Sequence, residues 1–230
     1  VAGAVVVEGA EGRHAATVVR LALGESVVLT DGAGRRGGGV VTAVGKDRVE
    51  VAVESVVDTP APQPRLVVVQ ALPKGDRGEL AVETMTEVGA DVIVPWAASR
   101  CVTRWRDARG AKALVKWRTS ALAAGKQSRR ARFPEVTDLA STTDVCGLLS
   151  AAAVGAVLHE GGARPLAGIA LPPSGDVVLV VGPEGGVSDD ELAAFADAGA
   201  PAYRLGETVL RTSTAGTAAL AVLLARTRWT

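Results

Sequence analysis

The chain has 230 residues, of which 48% are hydrophobic, and its 25 Lys and Arg residues balance 25 Asp and Glu residues. This length and apolar content support a substantial buried core, which excludes a disordered protein. The longest apolar run is well short of the roughly 20 residues of a membrane-spanning helix, and the N-terminus lacks a signal-peptide pattern. The sequence therefore predicts a cytoplasmic protein.

Residues 1–58 show the pattern of a small β domain. Short strands are predicted at 5–7, 26–29, 39–41 and 49–53, with a short helix over 14–21. Asp31-Gly32 is a strong turn signal, and the glycines at 37–39 permit close backbone approach. This arrangement predicts a mostly antiparallel β-barrel.

Residues 59–65 are predicted to form an extended linker, because prolines 60, 62 and 64 alternate along them. From residue 66 to residue 230, apolar strands alternate with helices. The strands are predicted at 66–72, 92–94, 156–158, 177–181 and 202–205, and the helices near 76–88, 107–124, 143–152, 189–198 and 214–228. This alternation predicts an α/β domain whose mostly parallel sheet is flanked by helices.

The sequence has no motif typical of a metal site or of a catalytic nucleophile. Cys101 and Cys146 have no CxxC partner, and His14 and His159 belong to no HExxH or carboxylate cluster. We therefore expect two ordinary buried thiols and no metal. A GxSxG motif is also missing, so no serine is nominated as a nucleophile.

Charge is strongly segregated along the chain. Residues 100–132 carry 11 Lys or Arg against Asp107 alone, whereas residues 135–210 carry 11 acidic residues against two arginines. The basic segment has two interpretations, an RNA-facing surface or a solvated helix face. Trp105 and Trp117 within it either stack on bases or pack in the core. The best phosphate candidates are Arg100, Arg104, Lys126, Arg129, Arg130 and Arg132.

Two glycine-containing loops follow apolar strands near the C-terminus. Residues 182–186 read Gly-Pro-Glu-Gly-Gly, and Ser188 with Glu191 forms a capping box for the next helix. A second polar loop, 205–215, leads into the last helix. Because ligands bind beyond the carboxyl ends of strands in α/β sheets, both loops are predicted to line one crevice. The alternative is two tight turns; neither a GxGxxG nor a GxxxxGK[ST] motif is present.

Five blocks in order resemble the RsmE-type family of 16S ribosomal RNA uridine N3-methyltransferases, which belongs to the SPOUT superfamily. They are His14–Arg20, the helix and strand around Thr86–Arg100, Gln127–Pro134, the Gly182–Glu191 motif, and Leu205–Ala215. The resemblance implies a PUA-like front domain, a trefoil knot in the rear domain and a homodimer. It also implies that S-adenosylmethionine is bound by three loops, through Leu158, His159, Glu160, Gly182, Glu184, Gly186, Leu205, Gly206, Leu210, Thr214 and Ala215.

A uridine acceptor must lose its N3 proton, which suggests roles for residues of these loops. Arg211 is the first candidate to stabilise a uridylate anion, the alternative being a salt bridge to Glu207 or a helix contact. Glu184 acts either as a general base or as a carboxylate that orders its loop. His159 is a proton relay or a structural residue. Where the family commonly has Glu, this chain has Ser213, so no role of that Glu carries over.

RNA is the partner that these features imply, with His14 and Arg20 as contacts in the front domain. One alternative is a non-catalytic ribosomal-RNA-binding protein in which the glycine loops are only turns. Another is a SPOUT methyltransferase that acts on transfer RNA or on a ribose hydroxyl. A nucleotide-dependent oxidoreductase is disfavoured because no acidic residue follows a GxGxxG turn.

Overall fold

The computed structural model describes residues 3–229. The chain divides into two compact units between Ala61 and Pro62, inside the segment predicted as a linker. Within the described residues, every helix is too short or too polar to cross a membrane.

The front unit is an antiparallel sheet of four strands in the order β1-β4-β3-β2. Its small core consists of alternate residues of the two central strands, as the period-two pattern predicted. A bulge lies at Gly38–Gly39, where a Cβ on Gly39 would lie 2.3 Å from the Ala52 carbonyl oxygen. The elements are β1 (Gly3–Val7), α1 (Gly9–Arg13), a π-helical turn (His14–Val19), β2 (Ser26–Thr30), β3 (Arg35–Val44) and β4 (Val49–Asp58).

The front sheet is open in the described residues, whereas the sequence predicted a barrel. Its strand ladders leave β1 and β2 as the two edges. Residues 9–19 form helical turns, where a short helix was predicted over 14–21, and Ala15 and Ala16 pack against the small core.

The rear unit is a parallel sheet of seven strands in the order β7-β6-β5-β10-β8-β11-β9. The α/β class with a mostly parallel sheet flanked by helices is confirmed. Its elements are β5 (Arg65–Ala71), α2 (Arg77–Val88), β6 (Val92–Trp96), α3 (Asp107–Gln127), β7 (Glu135–Val136), α4 (Thr142–Ala151), β8 (Val154–Leu158), β9 (Arg164–Pro165), β10 (Asp176–Val181), α5 (Asp189–Asp197), β11 (Ala202–Arg204) and α6 (Thr212–Leu224).

The last helix returns across the sheet. Although α6 follows β11, it packs against α2, β5 and β10. Gly216 permits this approach, since a Cβ there would lie 2.6 Å from the Met85 sulfur. Beyond the helix, Arg226 donates to the Ile169 carbonyl oxygen at 2.8 Å, in the crossing between β9 and β10. A knot requires such a return path; the threading itself stays a prediction.

Asp91 joins distant parts of the rear unit at the opposite, amino edge of the sheet. Its carboxylate accepts from the Leu66 amide at 2.8 Å and from Arg228 Nη1 at 3.2 Å. Arg228 also donates to the Pro64 carbonyl oxygen, which brings the chain end to the start of the unit. Asp91 therefore fixes the first strand and the last residues of the unit together.

Arg130 belongs to the same cluster, which corrects its prediction as an RNA contact. Its guanidinium lies 3.8 Å from the Asp91 carboxylate and donates to the Thr86 carbonyl oxygen at 2.7 Å. Burial lowers the pKa of Arg130, and the Asp91 charge partly offsets that shift. With 14% of its side chain exposed, Arg130 is a structural residue.

Candidate active site

A crevice of about 450 Å3 lies at the carboxyl ends of β8 and β10, and a second hollow of about 350 Å3 shares several of its lining residues. The loops after β8, β10 and β11 line them, so the predicted convergence of the two glycine loops is confirmed. The predicted site residues that line them are Leu158, His159, Glu160, Gly182, Glu184, Gly186, Leu205, Gly206, Leu210, Arg211 and Ala215.

The loop after β10 requires its small residues. Gly186 has a φ of +74°, which favours glycine. A Cβ on Gly182 would lie 2.7 Å from Val187 Cγ2, and one on Gly185 would lie 3.1 Å from Arg100 Cβ. Glycine at these positions therefore lets the loop pack closely against Val187 and Arg100, and residues 182–187 line the crevice.

The crevice fits a cofactor that has an apolar ring and polar ends. Leu158, Leu205 and Leu210 supply apolar surface for an adenine ring. The N-terminus of α6 and the 182–186 backbone supply polar groups at the same crevice. S-adenosylmethionine has both an apolar ring and polar ends, so the residues that line the crevice are compatible with this cofactor.

Glu184 is engaged with the loop after β5. Its carboxylate accepts from the Lys74 amide at 3.2 Å and lies 3.9 Å from Arg77 Nη1. A carboxylate that accepts a backbone N–H and pairs with an arginine orders its loop. These contacts favour the loop-ordering interpretation over that of a general base.

His159 is held at the end of β8 by hydrogen bonds. Its amide donates to the Tyr203 carbonyl oxygen at 2.9 Å, and its Nδ1 accepts from the Gly161 amide at 3.0 Å. Because Nδ1 is an acceptor, the neutral ring carries its proton on Nε2. These bonds favour a structural role for a ring that also lines the crevice.

Arg211 precedes α6 and presents an exposed side chain to the crevice. Among residues 3–229 its guanidinium has no hydrogen bond or ion pair, so the alternative salt bridge to Glu207 is not formed. Ser213 is 4% exposed within the first turn of α6. The Thr214 hydroxyl donates to the Arg211 carbonyl oxygen at 3.2 Å, and its contact with the cofactor stays a prediction.

Arg77 is a crevice residue that the sequence analysis missed. It begins α2 and lines the crevice together with Arg100 and Arg211. Its position just after β5, at the same sheet edge as the two glycine loops, was the available signal. The start of α2 therefore contributes a cation to the site, in addition to the loops after β8, β10 and β11.

Glu191 has a larger role than the predicted capping box. That box is confirmed, with the Ser188 hydroxyl accepting from the Glu191 amide. The carboxylate also accepts from the Ser99 amide at 2.7 Å and the Ser99 hydroxyl at 2.9 Å. Burial raises the pKa of Glu191, but the hydrogen bonds from Ser99 and Ser188 outweigh burial and lower the pKa overall. The buried group is therefore an anion at neutral pH.

The other residues predicted to bind RNA differ in their exposure and in their hydrogen bonds. Arg104 donates to the Ala98 and Ser99 carbonyl oxygens, both at 2.9 Å, and Arg100 donates weakly to the loop after β10. In the front unit, His14 and Arg20 are exposed at the two ends of the π-helical turn. Lys126 and Arg129 are exposed near the end of α3, whereas Arg132 is half-buried.

The two tryptophans of the basic segment pack against each other. Their ring centroids are 5.0 Å apart in an edge-to-face arrangement, and Trp117 is 3% exposed. A Cβ on Gly78 would lie 2.6 Å from the Trp117 ring. Packing, not base stacking, accounts for Trp117. Cys101 is also buried as predicted, and burial raises its pKa.

The fold and the crevice define an RNA methyltransferase with a PUA domain in front. A family model described as an RNA methyltransferase domain matches residues 59–224, and one described as an RNA methyltransferase PUA domain matches residues 7–54. The chain belongs to the family of ribosomal RNA small subunit methyltransferase E. The Mycobacterium bovis protein of that name is 48% identical over 97% of this chain and 87% of its own length.

Solved structures show the same architecture. The ribosomal RNA small subunit methyltransferase E of Neisseria gonorrhoeae, bound to S-adenosyl methionine, has a TM-score of 0.86 at 28% identity. A Legionella pneumophila methyltransferase in complex with the bound cofactor SAM has a TM-score of 0.87 at 28% identity. Each comparison covers 98% of this chain and 93% of the other.

Proposed function

We propose that this protein transfers a methyl group from S-adenosylmethionine to N3 of a uridine in 16S ribosomal RNA. The observation that carries the proposal is the crevice at the carboxyl ends of β8 and β10. There, the glycine-rich loop 182–186 lines the same crevice as Arg211, a cation that has no partner among the described residues. The family's named relatives act on small-subunit ribosomal RNA, which supports the substrate.

Binding of the methyl donor is assigned to the three loops after β8, β10 and β11. Leu158, Leu205 and Leu210 hold the adenine ring, and the amides of residues 182–186 hold polar groups of the cofactor. The bound cofactor supplies an electrophilic methyl group on a sulfonium. No covalent nucleophile is needed, because the protein contributes mainly by fixing donor and acceptor in line.

Arg211 is assigned to the acceptor. Uridine N3 carries a proton at neutral pH, and its loss leaves an anion delocalised onto the ring carbonyl oxygens. A guanidinium that lines the crevice without a partner among residues 3–229 can stabilise such an anion. Glu184 is a weaker candidate for the base, because it is already engaged by Lys74 and Arg77.

RNA contacts are assigned to exposed basic residues of the segment 100–132 and to His14 and Arg20. The protein is proposed to act as a homodimer in the cytoplasm, where its RNA substrate resides. The knot implied by the family resemblance is part of the same proposal.

One experiment tests the activity directly. In vitro-transcribed 16S ribosomal RNA, and separately small ribosomal subunits, are incubated with the protein and methyl-labelled S-adenosylmethionine. Nucleosides are then identified by mass spectrometry. We expect N3-methyluridine; labelled ribose-methylated nucleosides instead would contradict the assigned acceptor, and absence of cofactor binding by calorimetry would contradict the enzyme itself.

A further inference from the structure

Three loops at the carboxyl edge of the rear sheet are tied to one another in a ring. They are residues 72–76 after β5, residues 97–106 after β6 and residues 182–188 after β10, and we call them the three-loop ring. The Thr103 hydroxyl donates to the Pro73 carbonyl oxygen at 2.7 Å, which ties the first two loops. The Lys74 amide donates to Glu184 at 3.2 Å, which ties the first loop to the third.

Glu191 makes the tie between the second and third loops. One buried carboxylate accepts from the amide and hydroxyl of Ser99 on one side. On the other side it accepts from the amide and hydroxyl of Ser188, at 3.0 and 2.9 Å. Its exposed fraction is only 4%, so water cannot readily replace a donor that moves away.

Arg100 reinforces the same tie. Its Nη1 donates to the carbonyl oxygens of Gly185 and Val187, at 3.4 and 3.3 Å. The backbones also touch, since a Cβ on Gly185 would lie 3.1 Å from the Arg100 carbonyl oxygen. A shift of the third loop would therefore disturb its contacts with Ser99 and Arg100.

The proposed function assigns the two loops held by Glu191 to different ligands, and Arg100 of the second loop also lines the crevice. Residues 182–188 line the crevice assigned to the cofactor. Residues 97–106 lead into α3 and open the basic segment, and they carry Arg100, Arg104 and Arg106. Arg104 donates to the Ala98 and Ser99 carbonyl oxygens, which ties its guanidinium to the backbone next to Ser99.

We propose that Glu191 is a positioning residue that couples cofactor binding to RNA binding through the three-loop ring. A cofactor that orders residues 182–188 thereby orders Ser99 and the arginines after it in the geometry that binds RNA. The coupling is reciprocal, so bound RNA raises the affinity for the cofactor by the same factor. This inference rests on the proposed function, because it assigns the two ligands to these loops.

The test compares RNA affinity with and without the cofactor product. The Kd for in vitro-transcribed 16S ribosomal RNA is measured by filter binding in the absence and presence of saturating S-adenosylhomocysteine. For the unmodified chain we expect the product to tighten RNA binding by about fivefold or more, the usual lower range of coupling between sites. The ratio of the two Kd values is the readout, and a merely structural role would leave it unchanged.

Ser99→Ala and Glu191→Gln are the variants. Ser99→Ala removes one hydrogen bond between Ser99 and Glu191 and leaves the Ser188 capping box intact. It therefore tests the coupling even if Glu191→Gln fails to fold. Both are expected to bring the ratio towards one. The matched control is Asp144→Asn, which removes the carboxylate of the capping box that Ser141 and Asp144 form at α4, and which should keep the ratio of the unmodified chain.

Each outcome decides between two claims. A ratio near one in the unmodified chain, with both ligands bound, overturns the coupling and leaves the methyltransferase proposal standing. An unchanged ratio in a folded Ser99→Ala variant and in Glu191→Gln overturns the role of Glu191. Absence of S-adenosylhomocysteine binding to the unmodified chain would instead overturn the proposed function, and the coupling with it.

Discussion

Arg211 presents an exposed guanidinium to the crevice at a point where the backbone begins a helix. Its carbonyl oxygen accepts from the amides of Thr214 and Ala215, so the backbone is fixed while the side chain is not. A cation held this way is available to an anion that develops on the acceptor. Arg211 should therefore accelerate the chemical step more than it strengthens cofactor binding.

Replacing Arg211 with Gln tests this role. Because the variant removes a donor to the developing anion, kcat should fall by about 10²- to 10³-fold. The Kd for S-adenosylhomocysteine should stay within a factor of about two, since that ligand has no uridylate. Single-turnover methylation and calorimetry give the two numbers. Arg164→Gln, an exposed arginine of β9, is the control, and equal losses in both variants would rule out a specific role.

At the scale of elements, α3 presents the exposed part of the basic segment. Arg109 and Lys112 lie one helical turn apart, are exposed, and have no side-chain partner in residues 3–229. Lys116 is also exposed, but it lies 3.6 Å from Glu79. A partly neutralised cation contributes less to phosphate binding than a free one.

The double variant Arg109→Gln, Lys112→Gln should weaken binding to 16S ribosomal RNA. Each lost phosphate contact should reduce the slope of log K against log salt concentration by roughly one. We expect a smaller change for Lys116→Gln, measured in the same salt titration. If the double variant had the slope of the unmodified chain, α3 would be a solvated face and not part of the RNA surface.

Helix α5 carries a pH-dependent contribution to stability through Glu191. Because its folded-state pKa lies below the ordinary value of 4.5, ionised Glu191 stabilises the fold above that pH. The contribution is lost as pH falls through the lowered pKa. Glu191→Gln places an amide N–H₂ against donors and should cost about 1–3 kcal/mol in the free energy of unfolding at pH 7.

Urea unfolding of both proteins between pH 7 and pH 3 measures this contribution. The difference between the unmodified chain and Glu191→Gln should be constant above pH 4.5 and shrink below it. A difference that stays the same down to pH 3 would show that the carboxylate charge is not what Ser99 and Ser188 recognise.

Sequence patterns predicted elements well where the pattern is local. The Ser188–Glu191 capping box and the apolar run of β10 are read within a few neighbouring residues. The bond from Ser99 to Glu191 joins residues 92 apart, and no local pattern carries it. Strands β7 and β9 have two residues each, which is too short for any periodicity to appear.

Net charge along a segment does not reveal which side chains turn inward. Arg130 was therefore predicted as an RNA contact together with its basic neighbours, although its side chain is mostly buried. Arg77 was missed because its neighbours carry no apparent ligand motif, although topology brings its loop to the crevice. In both cases the decisive contact comes from a distant part of the chain, Asp91 for Arg130 and Glu184 for Arg77.

For the whole molecule, the catalytic edge of the rear sheet is matched by a structural cluster at the opposite edge. Asp91, with 9% of its side chain exposed, faces Arg228 and Arg130, whose side chains are 19% and 14% exposed. Its bonds reach the start of β5 and the residues after α6. The two ends of the rear unit are thus held by one buried carboxylate.

Asp91→Asn should therefore destabilise the rear unit strongly. Removing one charge of a buried cluster leaves two arginines uncompensated, which costs about 3–5 kcal/mol. The matched control is Asp176→Asn, which breaks the more exposed ion pair with Arg65 and should cost about 0–1 kcal/mol. Equilibrium urea unfolding gives both values. A loss in Asp91→Asn no greater than that in Asp176→Asn would mean that the core of the parallel sheet, not this cluster, holds the ends of the unit together.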